Sequence, residues 1–343
     1  MRYCTEMNQP KVTDLDYINF LVATPLVFTC TEAARVQPDV PHRAAHDALT
    51  RLLQRLEPDP TPLWNEARQH VVLHDGLLIV DDSTLDKPYA RSIELVRRHW
   101  SGKHHRVVSG INLVTLLWSD GTDAIPCDYR LYDKPVDGLT KNAHFRMMLQ
   151  TAKQRGFHPR LVAFDSWYSS LANLKTIRTF GWQWFTRLKG NRHVNPDGTG
   201  NRALEACDIS ADGTVVHLKG YGMIQVFRID TPDGDTEYWA RSVLTMTPQE
   251  RERTASEIWV IETYHRGLKQ FCGVERCQAR SARAQRNHIG WAIRAFVRLE
   301  HHRIRTGTSW FETKMGIIRS ALQLYLSQTS PILVGLAQSP ATA

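Results

Sequence analysis

The chain has 343 residues, 42% of them hydrophobic, with a formal net charge of +8 and a sequence pI of about 9.2. That length allows two or three domains, or one large domain with insertions, around a sizeable core. No apolar run reaches the roughly 18 residues that a membrane span needs, and the N-terminal stretch MRYCTEMNQPKVTDLDY is charged, with no signal-peptide core. No membrane-spanning segment is expected, and the expectation is a cytosolic protein. Six cysteines are scattered, and Cys272 and Cys277 form a Cys-x4-Cys without a second pair, which reads as reduced structural thiols rather than zinc. Charge is uneven. Residues 1–75 hold seven basic and ten acidic residues, whereas residues 276–320 hold ten basic and two acidic ones. A basic C-terminal third suggests a polyanionic partner.

In chain order, residues 1–70 read as short helices. FTCTEAARV offers Thr29 or Thr31 as an N-cap, QPDVPH is a turn, and RAAHDALTRLLQRL places Ala45, Ala48, Leu49, Leu52 and Leu56 at helical spacing. Helix, turn, helix is compatible with DNA binding, and a plain helical cap fits equally well because the segment is not basic. EPDPTP, 57–62, breaks the chain. GLLIVDDST reads as a buried strand over 77–80 that ends in Asp81 and Asp82. RVVSGINLVTLLWSD and AIPCDYRLYD are β-rich runs parted by the turn SDGTD. Residues 138–155 read as a helix. RLVAFD is a second short apolar strand and ends in Asp165; SWYSSLANLKTIRTF is a helix capped by Ser166, and WQWFTRLKG is a further strand. Residues 191–246 are rich in Gly, Asp and Thr with alternating runs, which predicts an inserted β-rich subdomain. The chain is helical again from Thr247 to about residue 327, and 328–343 reads as a loose tail.

The stretch IETYHRGLKQ sets Glu262, His265, Arg266 and Lys269 at i, i+3, i+4 and i+7, one face of a helix. A solvated face with i,i+4 pairs is the plain alternative. Two apolar strands that end in Asp, followed by a helix carrying Glu, can bring three carboxylates to the C-terminal edge of an α/β sheet, where ligands bind. Such carboxylates repel one another, and burial adds to the cost. Divalent cations remove that cost, and oxygen-only ligands with open positions suit Mg²⁺ or Mn²⁺. Two such ions about 4 Å apart can activate an attacking oxygen and stabilise a leaving one at phosphorus.

IVDDSTLDK, LVAFDSWYS and WVIETYHRGLKQ, with KNAHFRMML in support, resemble the DDE transposases of bacterial insertion sequences, over roughly residues 70–310. The order of elements is similar to the branch with a β-strand insertion before the Glu, in the insertion-sequence groups numbered four and seven hundred and one. The resemblance implies a ribonuclease H-like α/β fold: a mixed sheet flanked by helices, with the inserted β-rich subdomain and helical N- and C-terminal regions. The divisions are then 1–70, a helical region for DNA ends; 71–190, the first part of the catalytic core; 191–246, the insertion; 247–327, the helical remainder and basic helices; and 328–343, the tail. It implies Asp82, Asp165 and Glu262 as catalytic metal ligands, with gaps of 83 and 97 residues, and Asp81 facing the opposite side of the strand if the strand continues. Two Mg²⁺ ions, or Mn²⁺ in their place, would serve strand cleavage and strand transfer on double-stranded DNA. A homodimer would hold two transposon ends and a target in the bacterial nucleoid. Glu262 and Lys269 match half of the family's Tyr-Arg-Glu-Lys signature, while Ala255 and Ile258 stand at the Tyr and Arg positions.

The same reading expects DNA-phosphate contacts from Lys269 and Arg266 and a donor or packing role for His265. A phosphate-contacting or merely solvated loop carries Lys103 and Arg106. Lys141 and Asn142, at a helix start capped by Thr140, are candidates for site support. The basic helices offer Arg280 and Arg286. Trp167, Trp184 and Trp239 are read as core, with stacking on an unpaired base as the second reading. The rival functions are a metal-dependent nuclease without strand transfer, a non-catalytic DNA-binding descendant, and an α/β metallophosphatase.

Overall fold

The computed structural model describes residues 11–38, 43–101 and 105–327. Four short helices come first: α1 (Asp14–Ala23), α2 (Cys30–Arg35), α3 (His46–Arg55) and α4 (Thr61–Ala67). Thr13 and Asp16 close a capping box on α1, and Thr29, not Thr31, caps α2. The strands β1 (Leu77–Asp86), β2 (Arg97–Ser101), β3 (Arg106–Ser119) and β4 (Ile125–Tyr132) follow, then the short α5 (Lys134–Asp137) and α6 (Lys141–Gln154), which Thr140 caps. Next are β5 (Leu161–Phe164), α7 (Leu171–Thr179) and β6 (Trp184–Leu188). Ser170 caps α7; Ser166 instead opens a 3₁₀ turn whose cap is Asp165. Within the core, β4–β3–β1 are antiparallel and β1, β5 and β6 are parallel, the ribonuclease H-like arrangement of a mixed sheet.

The insertion contributes β7 (His193–Asn195), β8 (Arg202–Ala203), β9 (Thr214–Leu218), β10 (Gly222–Asp230) and β11 (Thr236–Arg241). These strands do not make a sheet of their own. β11 pairs antiparallel with β6, so that one 11-stranded sheet runs through both parts. Four helices complete the described chain: α8 (Pro248–Ile258), α9 (Val260–Phe271), α10 (Ala282–Thr306) and α11 (Trp310–Ser327). No helix among the described residues is long and apolar enough to cross a membrane.

The sheet separates two apolar cores. Leu77, Ile79, Leu113 and Leu117 face α9 and α10 and pack with Ile261, Tyr264, Leu268 and Phe296. Leu78, Val80, Val114 and Leu116 face α6 and α7 and pack with Phe145, Met148, Tyr168 and Leu174. Gly267 lets α9 approach its neighbours: a Cβ there would lie 2.6 Å from the Trp310 ring.

The charge asymmetry of the sequence is met largely inside the molecule. α10 is mostly buried, and α1, α3 and α4 lie against it. Arg294, 8% exposed, donates from Nε and Nη2 to Glu66 at 3.0 and 2.6 Å and pairs with Asp14. Arg298 also reaches Glu66, Arg283 pairs with Glu57, and Arg303 pairs with Asp123 and Glu300. These arginines of the expected polyanion-binding stretch are thus taken up by acids of the same chain. Arg294→Ala would leave two carboxylates without their cation at a half-buried site, a loss of about 3 kcal/mol by analogy with broken buried pairs. Chemical denaturation should register that loss, while DNA affinity of the folded fraction stays within about twofold, the scale of a surface change.

Candidate active site

The doublet Asp81–Asp82 does not end its strand. β1 continues to Asp86 and pairs with β3 through the whole doublet, Asp81 opposite Thr115 and Asp82 opposite Val114. Successive side chains of a strand point to opposite faces. The pleat therefore sends the two carboxylates to different sides of the sheet.

Asp82 lies on the α6–α7 side and is fully engaged. Asn112 Nδ2 and Lys141 Nζ each donate to Oδ2 at 2.7 Å, and the Tyr168 hydroxyl donates to Oδ1 at 2.8 Å. Burial alone would push its pKa up. The Lys141 charge and the three donors overcome that and hold it below the usual carboxylate value.

Asp81 lies on the α9 side. Its register neighbour beyond the Val80–Phe164 pair is Asp165, at the C-terminal end of β5. Across from it stands His265 of α9, with Nδ1 3.8 Å from the Asp81 carboxylate. Burial pushes Asp81 well above the ordinary range, and the charges of Asp82, Asp165 and Glu262 add to the rise. His265 brings no charge to offset this: burial, with Lys269 nearby, lowers its pKa to about 3, so it is a neutral ring. Its Nε2 is buried without a hydrogen-bond partner. Asp165 caps the 3₁₀ turn, its Oδ1 accepting from the Trp167 amide. Burial raises its pKa, the Trp167 amide pulls against that, and the charge of Asp82 adds to the rise. Glu262 is exposed on α9, one turn before His265.

Among the described residues, no three His, Cys, Asp or Glu side chains are already closed around a metal-sized space. Asp165 is bonded to a backbone amide and Glu262 is exposed. The donor set nevertheless fits a hard divalent cation, because it is all carboxylate oxygen and the deepest member, Asp81, lacks a charged counterpart.

The other expected contacts divide. Lys269 is turned inward, donating to the Thr84 carbonyl at 2.9 Å and pairing with Glu275 at 3.1 Å; it ties α9 to β1 instead of facing DNA. His265 is buried and neutral, not a phosphate donor. Asn142 accepts from Asn173 at 2.6 Å and is a packing residue between α6 and α7. Lys141 belongs to Asp82. Arg286 is half-buried, 4.0 Å from Asp133. Arg266, Arg280 and Arg106 are exposed. Lys103 lies outside the described residues, as does the tail from 328. Trp184 is fully buried and donates to the Tyr221 hydroxyl at 2.8 Å. Trp239 stacks on Phe185 at 4.9 Å and donates to Glu237. Both are core. Trp167, 57% exposed, is not.

Sequence reasoning missed Asn112 and Tyr168. Asn112 interrupts an apolar run in GINLVTLL, and a polar side chain on a buried strand demands a partner. Tyr168 carried no distinguishing signal among the neighbouring aromatics.

A ribonuclease H-like sheet with acids gathered where β1 and β5 run side by side defines a phosphoryl-transfer enzyme. The transposase DDE domain family matches residues 74–298, and the chain belongs to it. It is a DDE-type enzyme of DNA transposition, and dependence on a divalent metal comes with the family. Among solved structures it is similar to a piggyBac transposase synaptic complex with hairpin DNA, at 12% identity and a TM-score of 0.46, covering 94% of this chain and 70% of that one. A second is the Mos1 strand transfer complex, at 14% identity and a TM-score of 0.20, covering 52% and 59%. No curated protein matches. The family match and the sheet topology carry the assignment; the two likenesses add nothing to it.

Lys141→Met should separate Asp82 from catalysis. At neutral pH it leaves a buried carboxylate without its cation, a loss of about 3 kcal/mol. In the native chain the depressed pKa of Asp82 contributes stability above about pH 4, and this fades as pH falls through the folded pKa. In the variant the folded pKa is raised, so the penalty grows as pH rises through it. Denaturant titrations at pH 5 and pH 8 should therefore find the variant's deficit smaller at the lower pH.

Proposed function

We propose that Asp81, Asp165 and Glu262 are the acids that hold the divalent metal, and that Asp82 is a positioning residue behind them. The observation that supports this reading is the parallel pairing of β1 with β5, which ends at Val80–Phe164, one residue before Asp81 and Asp165. It replaces the triad expected from the sequence at its first member only. Two Mg²⁺ ions are the proposed cofactor, with Mn²⁺ able to substitute. When bound, they would supply activation of an attacking oxygen and stabilisation of a leaving oxygen at phosphorus.

The chain's own residues do the rest. Asp81 is held within β1, and Asp165 directly follows β5, where it caps the 3₁₀ turn. Glu262 closes the set from a helix that Lys269 and the Gly267–Trp310 contact fix against β1 and the last helix. His265, neutral and buried, backs Asp81 and limits its rotation. Arg266, exposed one turn beyond Glu262, is placed to meet a phosphate. The reading is strand cleavage followed by strand transfer at the ends of an insertion sequence, on double-stranded DNA in the bacterial cytoplasm. A dimer on DNA is proposed because two ends must be brought together.

Four variants test it: D81N, D82N, D165N and E262Q, each read by Mn²⁺ binding in electron paramagnetic resonance and by nicking of DNA carrying the element's ends. D81N, D165N and E262Q should lose Mn²⁺ binding and lower nicking by about a thousandfold. D82N should keep Mn²⁺ binding and lose thermal stability. Mn²⁺ binding abolished in folded D82N but intact in D81N would return the role to Asp82. Nicked products that never join target DNA would make the enzyme a nuclease.

A further inference from the structure

Away from the carboxylates, one pair of histidines meets nitrogen to nitrogen. His70 closes the 3₁₀ turn Arg68–His70 that follows α4, and His301 lies in the last third of α10. Their ring centroids are 4.4 Å apart at an angle of 51°, and Nδ1 stands 3.4 Å from Nδ1. The pair ends a row of contacts between these two segments. Glu66 and His70 are four residues apart, while Arg294, Arg298 and His301 follow the i, i+4, i+7 spacing of one face of α10. Glu66 takes both arginines. At the next step the row sets a base against a base. Two imidazolium charges would repel at that separation, and two neutral rings share at most one N–H between facing Nδ1 atoms. Burial, with His301 beside it, lowers the pKa of His70 against the pull of Asp123 and Glu300, so the ring is neutral. Those two carboxylates are themselves paired with Arg303.

We propose that His70 and His301 form a binding site for a transition-metal ion of the Zn²⁺, Ni²⁺ or Cu²⁺ class, which staples the end of the N-terminal helices to α10. Two nitrogens held at about 2.0–2.1 Å by one tetrahedral Zn²⁺ stand about 3.3–3.4 Å apart, so the two rings already have the separation that the ion needs. Imidazole suits these ions, whereas Mg²⁺ and Mn²⁺ prefer oxygen; the site is chemically distinct from the carboxylates of β1, β5 and α9. Each neutral ring keeps its proton on Nε2 and gives the Nδ1 lone pair to the ion, so the pair binds without a net change of protonation. Both rings are half-buried, which leaves the remaining coordination positions to water. The neighbouring histidines do not share the arrangement. His302 is exposed and lies about 100° further round the helix. His74 and His158 are stacked at 17° with centroids 5.3 Å apart, and offer ring faces rather than nitrogens. The two ligands are 231 residues apart, so the ion would close a loop that contains the whole catalytic sheet and α9. The proposal goes beyond the phosphoryl-transfer reading and does not depend on it.

The test uses the full chain in excess Mg²⁺, which occupies the oxygen sites, and titrates Zn²⁺. Affinity is read by competition with a chromophoric chelator, and stability by the melting temperature with and without Zn²⁺. The wild type should bind one Zn²⁺ per chain at this site and gain a few degrees at saturation. H70Q and H301Q should each lower the affinity at least about tenfold, the scale on which even supporting groups of a metal site act, and lose the gain in melting temperature. The double variant should lose no more than either single one. H302Q and H158Q should keep both the affinity and the gain. The readout is the rise on adding Zn²⁺ rather than the melting temperature itself, so a variant that is only destabilised still reports. In electron paramagnetic resonance, Cu²⁺ on the wild type should couple to two imidazole nitrogens, and on H70Q to no more than one. No Zn²⁺-dependent rise in the wild type, or a rise and an affinity that survive in both H70Q and H301Q, would overturn the site and leave a hydrogen bond between two rings. DNA cleavage enters neither arm, so failure of the transposase reading would show in the nicking assays and not here.

Discussion

The pleat of one strand governs this active site. β1 runs without interruption through two adjacent aspartates, and a strand cannot put neighbouring side chains on the same face. The sheet therefore sorts two chemically identical groups into opposite environments. Asp82 meets a cation and two neutral donors and is stable as a charge. Asp81 meets an uncharged imidazole and two further acids. One group has its charge compensated inside the protein, whereas burial and the neighbouring acids disfavour the charge of the other. This difference, rather than position in the motif, is the ground on which Asp81 is proposed as the ligand and Asp82 as the residue behind it.

A second consequence concerns net charge. The surplus of +8 is a property of the whole chain and overstates what faces a partner. The acidic N-terminal helices sit on the arginine-rich α10, and Arg283, Arg294 and Arg298 are consumed there. What remains exposed includes Arg266, Arg276, Arg280 and Lys189, residues of α9, the loops that follow it and the end of β6. Internal pairing lowers the charge that α10 itself presents to a polyanion, because paired charges contribute little field beyond their own neighbourhood.

Much of the fold was legible because its signals are local. Alternation in the β runs, the Thr140 cap and the helical spacing around Leu49 and Leu52 are written in neighbouring residues. Two of the acids, Asp165 and Glu262, stood out for a similar reason: each is set by the end of a short apolar strand or by a helix stripe. The choice between Asp81 and Asp82 has no such local signal. DD in a strand states that one member faces each side, but which side α9 covers is decided by tertiary packing. Lys269 illustrates the same limit. Its spacing from Glu262 suggests a shared face, yet the distal turn of α9 lies over β1, and a carbonyl at Thr84 and the Glu275 carboxylate capture the ammonium. The arginines of α10 were misread because composition cannot tell a solvated face from a helix covered by another part of the chain.

The β insertion is coupled to the site through strand pairing. β11 hydrogen-bonds to β6 at Tyr238–Leu188 and Trp239–Arg187, and Lys189 directly follows the end of β6. Arg187 is held to Glu237 of β11 and lies over the Trp239 ring. Trp239 in turn stacks on Phe185, and Trp184 packs on Tyr221. The aromatic residues at this junction are therefore fasteners that make β6 and the insertion one rigid body. Rigidity there has a direct structural effect. β6 lies beside β5, and the end of β5 bears Asp165 and Trp167, so a displaced β11 would shift Lys189 relative to both. A flexible hinge between insertion and core would leave the lysine's position to thermal motion; a continuous sheet defines it to the accuracy of a hydrogen-bond ladder. The insertion is joined to the site through the placement of a strand end, while its one tryptophan, Trp239, is taken up at the junction with β6.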